Sequence, residues 1–358
     1  MGMHIAVIGA GIIGSSIAWR LAQRGCRVTL LDAGVMGGEA SWAGAGMLAP
    51  GAEVAGSSPW SDLALASAAA YPGFVTELAG ESGLAIDYRR GGAVEIAAGD
   101  EELDELYLRV AAQAGIGIAS RPIGAAELEQ LSPGVVLPPG GIARWFPGDA
   151  IVNPRDVVAA LRLACLARGV TIRESSPVSA VEWRSGQAVI STTSAQTLVA
   201  GGAVLAAGAW NSDVRVAFPA PAVFPVRGHL IGYQLPPGVL SPILRRGHTY
   251  LLQRSPGFFL AGASSEEVGF DRRIDPLIVQ TLRVNAERLF APLRELQPEP
   301  WIGFRPATSS YQPEIRPLDP EVMRIWLACG HFRNGILLAP ETARLVVAGI
   351  IGANEETD

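Results

Sequence analysis

Along this chain the apolar residues first appear as a short run, then at helical spacing, then again as a run. Residues 4–8, HIAVI, read as a buried-type strand that stops at a glycine turn. From Ile12 to Arg24 the residues Ile13, Ile17, Leu21 and Ala22 recur at helical spacing, and Gly25 ends the segment. Residues 27–32, RVTLLD, form a second strand. This βαβ opening predicts a parallel sheet covered on both faces. The stretch after it, through residue 50, is rich in Gly, Ala and Ser without a clear period, and reads as a functional loop.

Further on, 86–97 and 116–123 read as strands around a helix. A helix over 153–168 has Asn153 as N-cap, Pro154 at the first helical position and Gly169 at its end. The strand candidates VTIRE, VSAVEW, QAVIST and LVAGGAVLAAG follow. Between about 220 and 325 come FPVRGHLIGYQL, HTYLLQ and GFFLAGAS, with a helix at 275–291. A last apolar strand, 324–330, precedes a helix that begins in GHFRNGILLAP. The pattern predicts an α/β protein of two interleaved domains, a Rossmann-type dinucleotide-binding domain and a second one. The expected pieces are 1–85, 146–217 and 324–358 for the first, 86–145 and 218–323 for the second.

Composition narrows the chemistry. The chain has 358 residues, 49% hydrophobic and 17% charged, with a net charge of -6. Disorder and nucleic acid as main partner are both disfavoured. All 28 basic residues are arginine, so mechanisms that need a lysine are excluded. Cys26, Cys165 and Cys329 are widely spaced and form no CxxC, which fits a reducing cytoplasm and no metal site. No signal peptide is expected, and no run approaches the ~20 apolar residues of a membrane span.

The sharpest motif is GAGIIG. Gly9, Gly11 and Gly14 match G-x-G-x-x-G between a strand and a helix, and Asp32 closes the next strand. Gly9 permits the tight turn, Gly11 admits a pyrophosphate, and Gly14 lets the helix pack on the sheet. The helix start at Ile12 and Ile13 faces the phosphates, and Asp32 suits a ribose hydroxyl. A nicotinamide enzyme would usually continue with another βαβ unit. This chain enters the 33–50 loop instead, and its late strand ends in Ala207-Gly208, which favours a flavin.

With these residues in hand, GEASWAGAGMLAP, VLAAGAWNS, GFRPAT and GHFRNGILLAP resemble the D-amino-acid oxidase superfamily. Within it they are most similar to the glycine oxidases of thiamine-thiazole biosynthesis. This likeness implies that the second domain is an α+β domain on an antiparallel sheet. The resemblance implies non-covalent FAD, held additionally by Ala33, Ala40, Ser41, Ala45, Gly46, Met47 and Val178. It also implies that Gly330, His331, Phe332, Arg333, Asn334, Gly335 and Ile336 lie beside the flavin ring. Arg305 matches the carboxylate-binding arginine, against an internal salt bridge as the plain alternative. Tyr250 matches the substrate tyrosine, against a core tyrosine capping a carbonyl. His248 matches a histidine near the site and reads as structural rather than catalytic. Arg333 is left between substrate, flavin and structural contacts. No acid–base residue is implied, because hydride passes to flavin N5.

The implied reaction is oxidation of glycine, sarcosine or small D-amino acids by dioxygen, giving an imine or glyoxylate, ammonia and hydrogen peroxide. A cytoplasmic homotetramer is implied as well. Ser265 falls where relatives can carry a larger apolar side chain, so larger substrates remain open. Two rivals stay on the table: an amino-acid or proline-type dehydrogenase feeding a quinone, and a flavoprotein subunit without turnover. The mean hydropathy of +0.28 is compatible with the first.

Overall fold

The computed structural model describes residues 2–319 and 323–355. Residues 1, 320–322 and 356–358 of the expected domain pieces lie outside them. Two large sheets organise the chain. The first has six strands, ordered Glu314–Pro317, Ile325–Cys329, Gly202–Leu205, His4–Ile8, Arg27–Leu31 and Thr171–Arg173. All its pairings are parallel except that of Glu314–Pro317, whose hairpin with Ile325–Cys329 spans the expected 323/324 boundary.

His4–Ile8 sits in the middle of this sheet, and its residues from Ile5 to Ile8 are buried. One face is covered by helices Ile12–Gln23, Pro59–Ser82, Pro154–Ala167 and Gly335–Glu355, which pack on one another. The Gly335–Gly352 window is long and apolar enough to cross a membrane by composition, but more than half of it is buried within the protein, against the other helices. A small sheet, Thr197–Ala200, Gln187–Thr192, Val178–Arg184 and Arg215–Val216, supplies residues to the core on the opposite face.

The second large sheet has eight strands, from Glu299–Ala307 and Phe224–Gln234 at one edge to Ile142–Phe146 and Arg121–Ile123 at the other. It is antiparallel apart from Ile243–Arg246 beside Ala93–Ala97. Side-chain alternation gives it two faces. In Thr249–Arg254, Leu251 packs towards helix Pro276–Leu289, while Tyr250 and Leu252 pack towards Ala45 and Ala49. In Glu299–Ala307, Trp301 and Gly303 meet Ala43 on that same inner face, the face Arg305 shares by alternation. The pleat therefore turns Tyr250 and Arg305 towards the dinucleotide layer.

Three sequence expectations need correcting. The 33–50 stretch is not one loop; it contains a helical turn, Ala40–Ala43, and a strand, Met47–Leu48, paired with Ala150–Val152. The run 198–208 is two strands, because the chain passes from the small sheet to the large one at Gly201. The longest helix, Pro59–Ser82, was not anticipated. It begins in a capping box between Ser58 and Ser61 and continues through Pro72.

Candidate active site

A cavity of ≈1390 Å³ runs from the glycine turn of the six-stranded sheet to the inner face of the eight-stranded one. At its first end Gly9 has φ +98, and a Cβ there would stand 2.2 Å from the Ala206 carbonyl oxygen, so only glycine fits the turn. Gly14 does not line the cavity. It lies where its helix presses on the Gly9 carbonyl, the packing role read from the motif.

Asp32 holds the turn from below. Its Oδ2 accepts the Ala10 N–H at 2.7 Å and its Oδ1 the Gly34 N–H at 2.8 Å. Burial pushes its carboxyl upward, against the lowering effect of those two donors. The first amide of helix Ile12–Gln23, Ile12 N–H, donates to Ser41 Oγ at 2.9 Å. No acidic residue stands in that helix's first turn, which suits an approaching anion. Ile12, Ile13, Ala33, Ala40, Ala45, Gly46, Met47, Val178, Ala207 and Gly208 line the same space.

The GHFRNG segment closes the cavity from the side. Gly335 and Ile336 line it where helix Gly335–Glu355 starts, with Asn334 bonded back to the His331 carbonyl. Phe332 adopts a left-handed φ of +47, and its N–H donates to the Pro306 carbonyl at 2.8 Å. That bond fastens the segment to the strand carrying Arg305. His331 lines the cavity, but its Nε2 bonds Thr342 Oγ1 at 3.1 Å in the core, and burial lowers its pKa to about 3. Gly330 departs from expectation. It faces Thr308 and the Gln312 carbonyl and does not line the cavity.

At the other end lie Arg305, Tyr250, His248 and Ser265. Among the described residues no carboxylate lies within ion-pair distance of Arg305, so the internal salt bridge is not formed. Its Nη1 donates to the Ser264 carbonyl at 2.9 Å. Burial lowers its affinity for a proton, and Tyr250 is close enough to counter that. The guanidinium lies on bare backbone: a Cβ at Gly228 would stand 2.5 Å from Nη1 and from Nη2. Burial raises the Tyr250 phenol to about 12, although Arg305 and Arg254 nearby pull it down. His248 is exposed at the rim.

Arg333 is not free. Its Nε donates to Glu53 Oε2 at 2.8 Å, and Asn334 Nδ2 reaches the same oxygen at 3.3 Å. Glu53 escaped the sequence reading; it ends the helical turn Pro50–Glu53 and has no motif around it. The aromatic lining by Trp210 and Phe304 was missed too, with the exposed Phe270 stacked on Trp210 at 4.8 Å. "VLAAGAWNS" signalled the first of these only as backbone.

An extended cavity with a glycine turn, a ribose-type carboxylate, a helix start at either side and a half-buried arginine without an acid partner among the described residues fits FAD plus a small anion. The comparisons agree. Residues 4–348 match the DAO family, described as FAD dependent oxidoreductase. Glycine oxidase of Geobacillus kaustophilus is 33% identical over 98% of this chain and 93% of its own. Its crystal structure superposes with a TM-score of 0.91 over 98% and 95% of the two chains, at 32% identity. The bifunctional protein ThiO/ThiG of Synechocystis is 35% identical over 96% of this chain, which spans about half of that relative's length. Iminodiacetate oxidase from Chelativorans superposes at 0.86, with 26% identity, over 97% and 95% of the chains. The chain belongs to the DAO family of FAD-dependent oxidoreductases.

Proposed function

We propose that this protein oxidises glycine, sarcosine and small D-amino acids, with FAD held in the cavity and dioxygen as the final acceptor. The observation that carries the reading is Arg305: a half-buried guanidinium without an acid partner among the described residues, beside Tyr250, in the same cavity as the dinucleotide turn. Burying an unpaired cation is costly, and a substrate carboxylate offsets that cost with two parallel charge-assisted bonds.

Gly9, Gly11, Ile12 and Ser41 would hold the pyrophosphate, Asp32 the adenosine ribose, and the start of helix Gly335–Glu355 the ring. When bound, FAD supplies the two-electron acceptor for the amine's C–H bond. Arg305 fixes the substrate carboxylate, and Tyr250 bounds the pocket and keeps its proton at neutral pH. Trp210 and Phe304 supply apolar lining to the same cavity. Orientation of this kind supplies much of the rate. No side chain is asked to act as acid or base.

In this reading 1–85, 146–217 and 324–358 bind FAD, and 86–145 with 218–323 bind the amino acid. A place in thiazole synthesis belongs to the same proposal, supported by the similarity to glycine oxidase and ThiO/ThiG proteins; the cytoplasmic homotetramer is carried into it from the family resemblance alone. The test is anaerobic addition of glycine to the FAD-loaded protein. Loss of the visible flavin absorbance, reversed by air with release of peroxide, is expected. Unchanged absorbance with glycine, sarcosine and D-alanine would overturn the reading.

A further inference from the structure

Arg305 remains without an acid partner although an acid lies close behind it. Glu266 is near enough to influence the guanidinium electrostatically, but its carboxylate points elsewhere. Its Oε2 accepts from Arg227 Nη2 at 2.6 Å. Its Oε1 meets His229 Nδ1 at 2.8 Å and accepts from Ser264 Oγ at 2.7 Å. Arg227 and His229 are both buried, and each has a reason to stay where it is.

Arg227 Nη1 donates to the carbonyls of Asp271 and Arg273 and pairs with the Asp271 carboxylate at 3.2 Å. His229 Nε2 accepts the Asp275 N–H, so Nδ1 carries the proton and donates to Glu266. The backbone of 264–266 is bridged to the strand Phe224–Gln234 through Arg227 and His229. Ser264 thus faces both ways. Its hydroxyl serves Glu266, and its carbonyl serves Arg305.

We propose that Arg227 and His229 are positioning residues that hold the Glu266 carboxylate away from Arg305, keeping that guanidinium available for the substrate carboxylate. Without them an internal anion is released to compete. Glu266 would turn to Arg305, and the chain would occupy its own carboxylate site. This inference rests on the proposed role of Arg305.

The test uses the FAD-loaded enzyme and two readouts, the glycine KM against kcat and the calorimetric Kd for acetate, which needs no turnover. Arg227→Gln should raise both KM and Kd at least about tenfold with kcat nearly kept, as expected when a buried charge is left to re-pair. Adding Glu266→Gln should bring both back to within about threefold of the parent, a coupling that independent sites do not show. Glu266→Gln alone should tighten acetate by about twofold, because a nearby negative charge is gone.

A double variant as impaired as Arg227→Gln, or worse, would overturn the proposal and leave Arg227 as an anchor of the 264–275 segment. Should Arg227→Gln not fold, Glu266→Gln decides by itself: weaker acetate binding would sink the idea. A parent enzyme that neither binds acetate nor oxidises glycine would remove the functional reading first, and this inference with it.

Discussion

Glu53 Oε2 accepts a hydrogen bond from Arg333 Nε at 2.8 Å, joining residues 280 positions apart across the mouth of the cavity. Arg333 is thereby engaged, and Arg305 is left as the cation at the site with no acid partner among the described residues. Such a site suits one carboxylate per substrate. Replacing Glu53 by Gln frees Arg333 for a second one. The expected result is a fall of about tenfold in the KM for iminodiacetate relative to glycine, the scale of a newly available charged contact. An unchanged ratio of kcat/KM values would show that Arg333 takes no part in selection.

Arg305→Ala should raise the glycine KM by a factor of 100 or more, since losing a buried charged contact typically costs about 3 kcal/mol. FAD should stay bound, because the substitution is remote from the glycine turn. Steady-state kinetics with a flavin spectrum of the same preparation checks both halves.

Gly228→Ala places a methyl where the Arg305 guanidinium now lies, at 2.5 Å from its nitrogens. The arginine must leave its seat while the strand persists. The KM should rise at least about tenfold, since misplacement by about an ångström has costs of that order, with little change in Tm. Loss of the fold instead would show that the strand cannot absorb the side chain.

His331 links the site to pH. Its folded pKa, about 3, lies below the ordinary 6.5 because the ring is buried. The unfolded chain therefore binds the proton more readily than the folded one. Stability is complete above about pH 6.5 and falls as pH drops towards 3, by at most about 1.4 kcal/mol per unit from this one group. Urea titrations between pH 4 and 7 should show a shallower acid loss in His331→Gln than in the parent. Identical slopes would exclude His331 as a source of the effect.

The parts of the protein that follow local rules were legible. The βαβ opening, the Asn153–Pro154 helix start and the strand before GHFRNG each have their signal within a few neighbouring residues. The helix Pro59–Ser82 does not. Alanines and serines surround its apolar residues, so no period stands out, and Pro72 argues against a helix whose packing on Gly335–Glu355 overrides it. Glu53, Gly228 and the Trp210–Phe270 stack were invisible for another reason. Their meaning lies in contacts between distant segments, and sequence spacing carries none of it.

Because His4–Ile8 is flanked by Arg27–Leu31 and Gly202–Leu205, with Ile325–Cys329 next outward, the centre of the molecule is built from both extremes of the chain. During synthesis the glycine turn emerges early, yet the segment expected beside the flavin ring appears more than 300 residues later. At a translation rate of about 5–20 residues per second, that interval lasts at least about 15 seconds. Through it the nascent protein has a half-made cradle and an uncovered apolar face. Loading with FAD is thus a late event, possible only once the last helix has been made and has closed both the apolar face and the cradle.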